Sequence, residues 1–113
     1  MIRDIDKLDI VYLQGYLKET DLKIADEPIT DEVINCIYQH TMIDHQLCRN
    51  TNDKIAVTFA FAFDIYNDIC LPELKQNYNY LYERLNNKMF EPIYLEVLKY
   101  IDERIEKNVR QKI

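Results

Sequence analysis

Apolar residues recur at three- and four-residue intervals along most of the chain, and one stretch in its middle alternates instead. From about Asp6 to Lys18, Leu8, Tyr12 and Tyr16 lie four apart, and Ile5, Leu13 and Leu17 broaden the stripe into one helical face. Gly15 within it costs about 1 kcal/mol relative to alanine. The polar segment TDLKIADEPI, closed by Pro28, reads as a loop. Thr30 then suits a helix N-cap, with Asp31 and Glu32 in the first turn, where the dipole favours negative charge. This second helix is predicted to reach about Cys48. Its inner side would come from Ile34, Ile37 and Tyr38, or from Val33, Ile37 and Thr41. RNTND at 49–53 has the composition of a connection, with Thr51 or Asn52 as the next cap. Pro72 and Pro92 each mark a helix start. Leu74, Tyr78, Leu81, Tyr82 and Leu85 follow the first at helical spacing, and Tyr94, Leu98, Ile101, Ile105 and Val109 follow the second. Glu103 with Lys107 and Glu106 with Arg110 add favourable pairs four apart, and Lys107, Arg110 and Lys112 suit a helix C-terminus.

The exception is KIAVTFAFAFDIY, residues 54–66. Ile55, Val57, Phe59, Phe61, Phe63 and Ile65 occupy every second position, the mark of a strand. A strand needs neighbours for its backbone hydrogen bonds, and nothing else in the chain alternates convincingly; LKIA at 22–25 is short. The intervening Ala56, Thr58, Ala60 and Ala62 would make both faces apolar, which demands a multi-stranded sheet sandwiched by helices. Coiled as a helix, the run is bulky all round with alanine gaps for its neighbours, as a buried helix should be. The expectation is an all-α domain over 1–113: a compact bundle of about five helices around a buried central helix at roughly 53–70, with the phenylalanines as core. A strand paired across a dimer is the alternative.

Composition supports that choice and narrows function. One glycine and three prolines among 113 residues leave little material for the turns of an all-β design. Twenty acids against fourteen bases give a net charge of −6, which disfavours a phosphate-binding face and hence a nucleic-acid partner. No uninterrupted apolar run is long enough to span a membrane, and MIRDIDKLDI carries acids where a signal peptide would be basic and then apolar. Three cysteines, Cys36, Cys48 and Cys70, are an odd and sparse set that fits reduced thiols and a cytoplasmic location.

Candidate chemistry concentrates in CIYQHTMIDHQLC, 36–48. On one helix Cys36, His40, Asp44 and Cys48 would form a stripe of transition-metal ligand types. The stripe would run about 18 Å, so only two neighbours could share an ion, and a second helix would have to bring Asp64, Asp68 or Cys70. A half-buried helix face with small thiols explains the same residues. His40 and Asp44 are therefore weak metal candidates, and no metal or cofactor is expected. His45 follows Asp44 directly, which turns the two side chains about 100° apart on a helix. A Cys36–His40 pair would lack an orienting third group, so no catalytic residue is assigned.

Two non-catalytic features remain. Residues 1–32 hold nine acids and four bases, a charge of −5 that leaves −1 for the other 81 residues. NYNYLY at 77–82 lies in a chain with nine tyrosines, and tyrosine is enriched at binding hot spots. Tyr78 and Tyr82 share a side with the leucines, whereas Tyr80 points elsewhere. Asp21, Asp26, Glu27, Asp31, Glu32 and Tyr80 are accordingly the expected partner contacts. The function expected is that of a non-enzymatic binding protein that sequesters or inhibits a protein partner, a basic one if the acidic third meets it. Immunity proteins, antitoxins and small viral or phage antagonists share this size and acidity. The alternatives are a small helical metal-binding protein or enzyme using His40 and Asp44, and a self-associating subunit such as a homodimer.

Overall fold

Burial of the central apolar run organises the molecule. The computed structural model describes residues 7–12, 24, 26–65 and 67–111. Helical residues 7–12 form α1; the further helices are α2 (Asp31–Tyr38), α3 (Thr51–Ala60), α4 (Leu71–Leu85) and α5 (Glu91–Gln111). Single 3₁₀ turns lie at His45–Leu47, Phe61–Asp64, Asp68–Cys70 and Lys88–Phe90. There is no strand among the described residues. The protein is all-α, and α5 packs against α2, α3 and α4.

The alternating run is helical. Ile55, Ala56, Val57, Thr58, Phe59 and Ala60 are all buried, so α3 is enclosed around its whole circumference from Ile55 onward, with Thr51 and Lys54 exposed at its start. The small Ala56 and Ala60, fully buried, occupy positions that a two-faced strand would give to its second surface. This helix is shorter than the predicted 53–70: it tightens to 3₁₀ over Phe61–Asp64 and becomes extended at Ile65. Asn67 contributes to that ending, because its side chain accepts the Ile69 amide and thereby favours a separate turn. Phe61 and Phe63 consequently sit half-buried at the edge of the core, while Phe59 is fully enclosed.

Polar contacts from α4 and α1 close the core around the C-terminal end of α3. Tyr78 is fully buried on α4, and its hydroxyl lies 2.7 Å from the Thr58 carbonyl and 3.0 Å from that of Phe59. It thus meets carbonyls where α3 gives way to the 3₁₀ turn. Burial pushes the phenol well above its ordinary pKa, against a smaller opposing effect of the Ala62 amide. Tyr78→Phe keeps the ring but leaves these carbonyls a donor short; unfolding in urea should register a loss of about 1–2 kcal/mol. From α1, the Lys7 ammonium donates to the Asp64 carboxylate at 2.8 Å and to its carbonyl at 3.1 Å, tying α1 to the end of the α3 segment. Asn77 adds a buried bond from its side-chain amide to the Leu8 carbonyl, 3.3 Å.

The two prolines act as the spacing predicts. Pro72 lies in the first turn of α4 and Pro92 in the first turn of α5, where a missing amide proton breaks no helical bond. α4 ends at Asn86, left-handed at φ 45°, whose amide returns to the Tyr82 carbonyl at 3.1 Å. Asparagine adopts this conformation more readily than most residues, which suits a chain with one glycine. The inner stripe of α5 is Ile93, Val97 and Ile101, all buried. Tyr82 and Tyr94 stack at 4.2 Å between α4 and α5. No helix among the described residues is long and apolar enough to cross a membrane.

Candidate functional site

α2 ends at Tyr38, well short of the predicted Cys48, and this dismantles the stripe of metal-ligand types. The stop is a Schellman motif: the Thr41 amide donates to the Cys36 carbonyl at 3.0 Å and the His40 amide to that of Ile37 at 3.1 Å. His40 takes the left-handed position at φ 59°, where glycine is usual. Its side chain offsets that cost. Nε2 lies 2.7 Å from Glu96 Oε2, and the ring packs against Phe63 and Tyr100 with centroids 5.3 and 4.9 Å away. Those two rings are themselves 4.9 Å apart, so three aromatic groups from three elements form one cluster. Arg104 extends it, lying over the Tyr100 ring, donating to the Ile65 carbonyl at 2.9 Å and pairing with Asp68. His40 is thus a clasp between the end of α2, the tail of α3 and α5.

Asp44 does different work, accepting the Gln46 amide at 2.9 Å as the cap of a 3₁₀ turn. His40 and Asp44 share no helix face, and neither do Cys36 and Cys48. All three cysteines are half-buried thiols outside any disulfide. Burial pushes the Cys48 thiol up, Asp53 and Asp44 add to this, and Lys54 opposes it, so the thiolate is disfavoured. Among the described residues no group of three His, Cys, Asp or Glu side chains is placed to hold a metal ion.

The expected acidic contacts form an exposed edge. Asp26, Glu27, Asp31 and Glu32 all face solvent, whereas Asp21 lies outside the described residues. Among the described residues the one ion pair to this group is Glu32 with Arg49, a loose 4.0 Å on the surface. Beneath the edge, polar groups at the start of α3, with Asn52 and Asp53 buried and Asn50 half-buried, grip the backbone of its loop. The buried Asn52 side chain donates to the Glu27 carbonyl at 2.6 Å, and Asn50 to that of Pro28 at 3.1 Å. Ile29 plugs into the core. Asp53, fully buried, accepts from the Thr30 amide at 2.8 Å, the Thr30 hydroxyl at 2.5 Å and the Arg49 amide at 2.8 Å.

Burial alone would raise the Asp53 pKa. The Thr30 hydroxyl together with the Arg49, Thr30 and Asn50 amides outweighs it and holds the carboxyl below the ordinary value of 3.8. The cap of α3 is Asn50, which accepts the Asp53 amide at 3.0 Å, rather than Thr51 or Asn52 as predicted. Asn50 and Asp53 stand three apart, the spacing of a capping box, and that pattern was present in RNTND. It could have pointed to both residues. Their reach across to Thr30 could not have been read from it.

Tyrosine exposure departs from expectation. Tyr80 is half-buried, like Tyr82. Of the two predicted inner sides of α2, the one with Val33 and Ile37 is buried, although Thr41 lies beyond the helix and is exposed. Tyr38, which belonged to the other, is 50% exposed and turns outward with Asp31 and Asn35. Comparison of the chain with protein-family models, with curated proteins and with solved structures finds no match.

Proposed function

We propose that this is a non-enzymatic binding protein that engages a basic protein partner through the edge formed by Asp26, Glu27, Asp31 and Glu32, and acts as its inhibitor or antagonist. The observation that carries the reading is the polar side-chain support beneath that edge. Three polar side chains of the α3 start, Asn50, Asn52 and Asp53, are committed to the backbone of Glu27, Pro28 and Thr30. A loop gripped in this way loses little entropy on association, so its charges attract a partner without first having to be ordered. The excess acid of residues 1–32 supplies a field that would speed encounter with a positive surface.

The test compares the wild-type chain with a variant reversed at Asp26, Glu27 and Asp31, both used to capture partners from native host extract. The wild type should retain a basic protein that the variant loses. Association with that protein should be slower for the variant by about tenfold at low salt, with the gap closing as salt is raised. Unchanged association at low salt would reject the acidic edge as the contact surface.

A further inference from the structure

Resting on that reading, we infer that the partner surface is a basic amphipathic helix, and that Tyr38 and Met42 are the apolar anchor that seats it beside the acidic edge. On the outward side of α2 the loose Glu32–Arg49 pair is the one ion pair among the described residues, and that side is chemically graded along its length. Asp31 and Glu32 stand at its start, Asn35 in the middle, and Tyr38 at its end, with Met42 just beyond the Schellman turn. Tyr38 is 50% and Met42 40% exposed, two of the few large apolar side chains that the described fold leaves in water. Neither makes a hydrogen bond or ring contact among the described residues.

An exposed tyrosine offers a wide ring and a hydroxyl at the cost of few frozen torsions, and methionine adapts its shape to what it meets. The pair is also held in place. The Schellman turn fixes the chain between them, and the His40 clasp onto Glu96, Phe63 and Tyr100 fixes that turn to α5. The face therefore presents carboxylates at one end and a rigidly based apolar knob at the other. Its complement is a short helix with lysine or arginine flanking an aliphatic stripe, which satisfies both ends along the roughly 12 Å of α2.

An idealised helical peptide of lysine and leucine at amphipathic spacing, labelled for fluorescence anisotropy, tests this directly. A lysine-only peptide of equal charge serves as comparison. The full chain should bind the amphipathic peptide at least about tenfold more tightly than the lysine-only one, and Tyr38→Ala with Met42→Ala should erase that preference. Both side chains are exposed, so the double variant should keep the wild-type unfolding midpoint in urea. Equal affinity for the two peptides, no binding of the amphipathic one at low salt, or a preference that survives the double variant would each overturn the anchor. The acidic edge is judged separately, since charge reversal at Asp26, Glu27 and Asp31 should weaken both peptides alike.

Discussion

Replacement of Asp53 by alanine is expected to destabilise the protein by about 3–5 kcal/mol, read from urea unfolding. Asp53 is fully buried and takes two bonds from Thr30 and one from the Arg49 amide. Its removal takes the acceptor from the Thr30 amide, the Thr30 hydroxyl and the Arg49 amide in a part-buried setting, and an unsatisfied buried donor costs about 1–3 kcal/mol. Asp53→Asn preserves the volume but turns an NH2 group toward donors, so it should recover little. Thr30→Val deletes the hydroxyl alone and should cost about 1–2 kcal/mol, a milder variant that remains folded if Asp53→Ala does not. Amide exchange at Thr30 and Arg49 should accelerate in each case. A loss below about 1 kcal/mol for Asp53→Ala would show that the loop is not held by this carboxylate.

The same group sets a direction for acid sensitivity. Its folded pKa lies below the ordinary value of 3.8, so its stabilisation is complete above that value and is lost as pH falls through the lower folded one. Wild type and Asp53→Asn should therefore differ most near neutrality and converge on strong acidification. A difference that stays constant from pH 7 to the acid limit would contradict the assignment.

Phe59→Ala is expected to cost about 4 kcal/mol, whereas Phe61→Ala and Phe63→Ala should each cost about 1–2 kcal/mol. Phe59 is fully enclosed in the centre of α3, with the Tyr78 and Tyr94 rings at 5.3 and 6.3 Å, so truncation leaves a cavity that a close-packed core refills poorly. Phe61 and Phe63 lie beyond the change to 3₁₀ geometry and remain half-buried. In an extended chain all three would point to one face and weigh alike. Ala60→Leu extends the contrast: a buried alanine facing neighbours should tolerate no larger side chain, at a cost of about 1–3 kcal/mol from overpacking. Three equal phenylalanine losses together with a neutral Ala60→Leu would refute the enclosed helix.

Helical periodicity made α4 and α5 legible as helices, because each carries a proline in its first turn and repeats apolar residues over several turns. The buried stripe of α5 is nonetheless Ile93, Val97 and Ile101, and the predicted Tyr94, Leu98 and Ile105 are half-buried beside it. The end of α2 was not legible. Its stop residue is a histidine in a conformation that usually announces itself as glycine, and polar residues beyond it continue a plausible helical pattern. What holds His40 there is Glu96, Phe63 and Tyr100, contributed by segments distant in sequence. The exposure of Tyr38 follows from the same fact, since which side of α2 faces inward depends on what α2 packs against.

Local chemistry thus settled what can be settled locally: the all-α class, the burial of the phenylalanine-rich centre, the proline-marked starts of α4 and α5, and an acidic beginning. These follow from backbone geometry and from how often an apolar residue returns to one face. Tertiary structure alone decided that Asn50, Asn52 and Asp53 grip the loop of the acidic edge, that His40 clasps α5 and Asp44 caps a turn, and that Tyr38 is left in water. The grip of Asn52 and Asp53 depends on groups more than twenty residues apart meeting inside the fold, where the need to satisfy buried donors and acceptors overrides what spacing suggests. The His40 clasp depends on α5 and the tail of α3 arriving beside the end of α2.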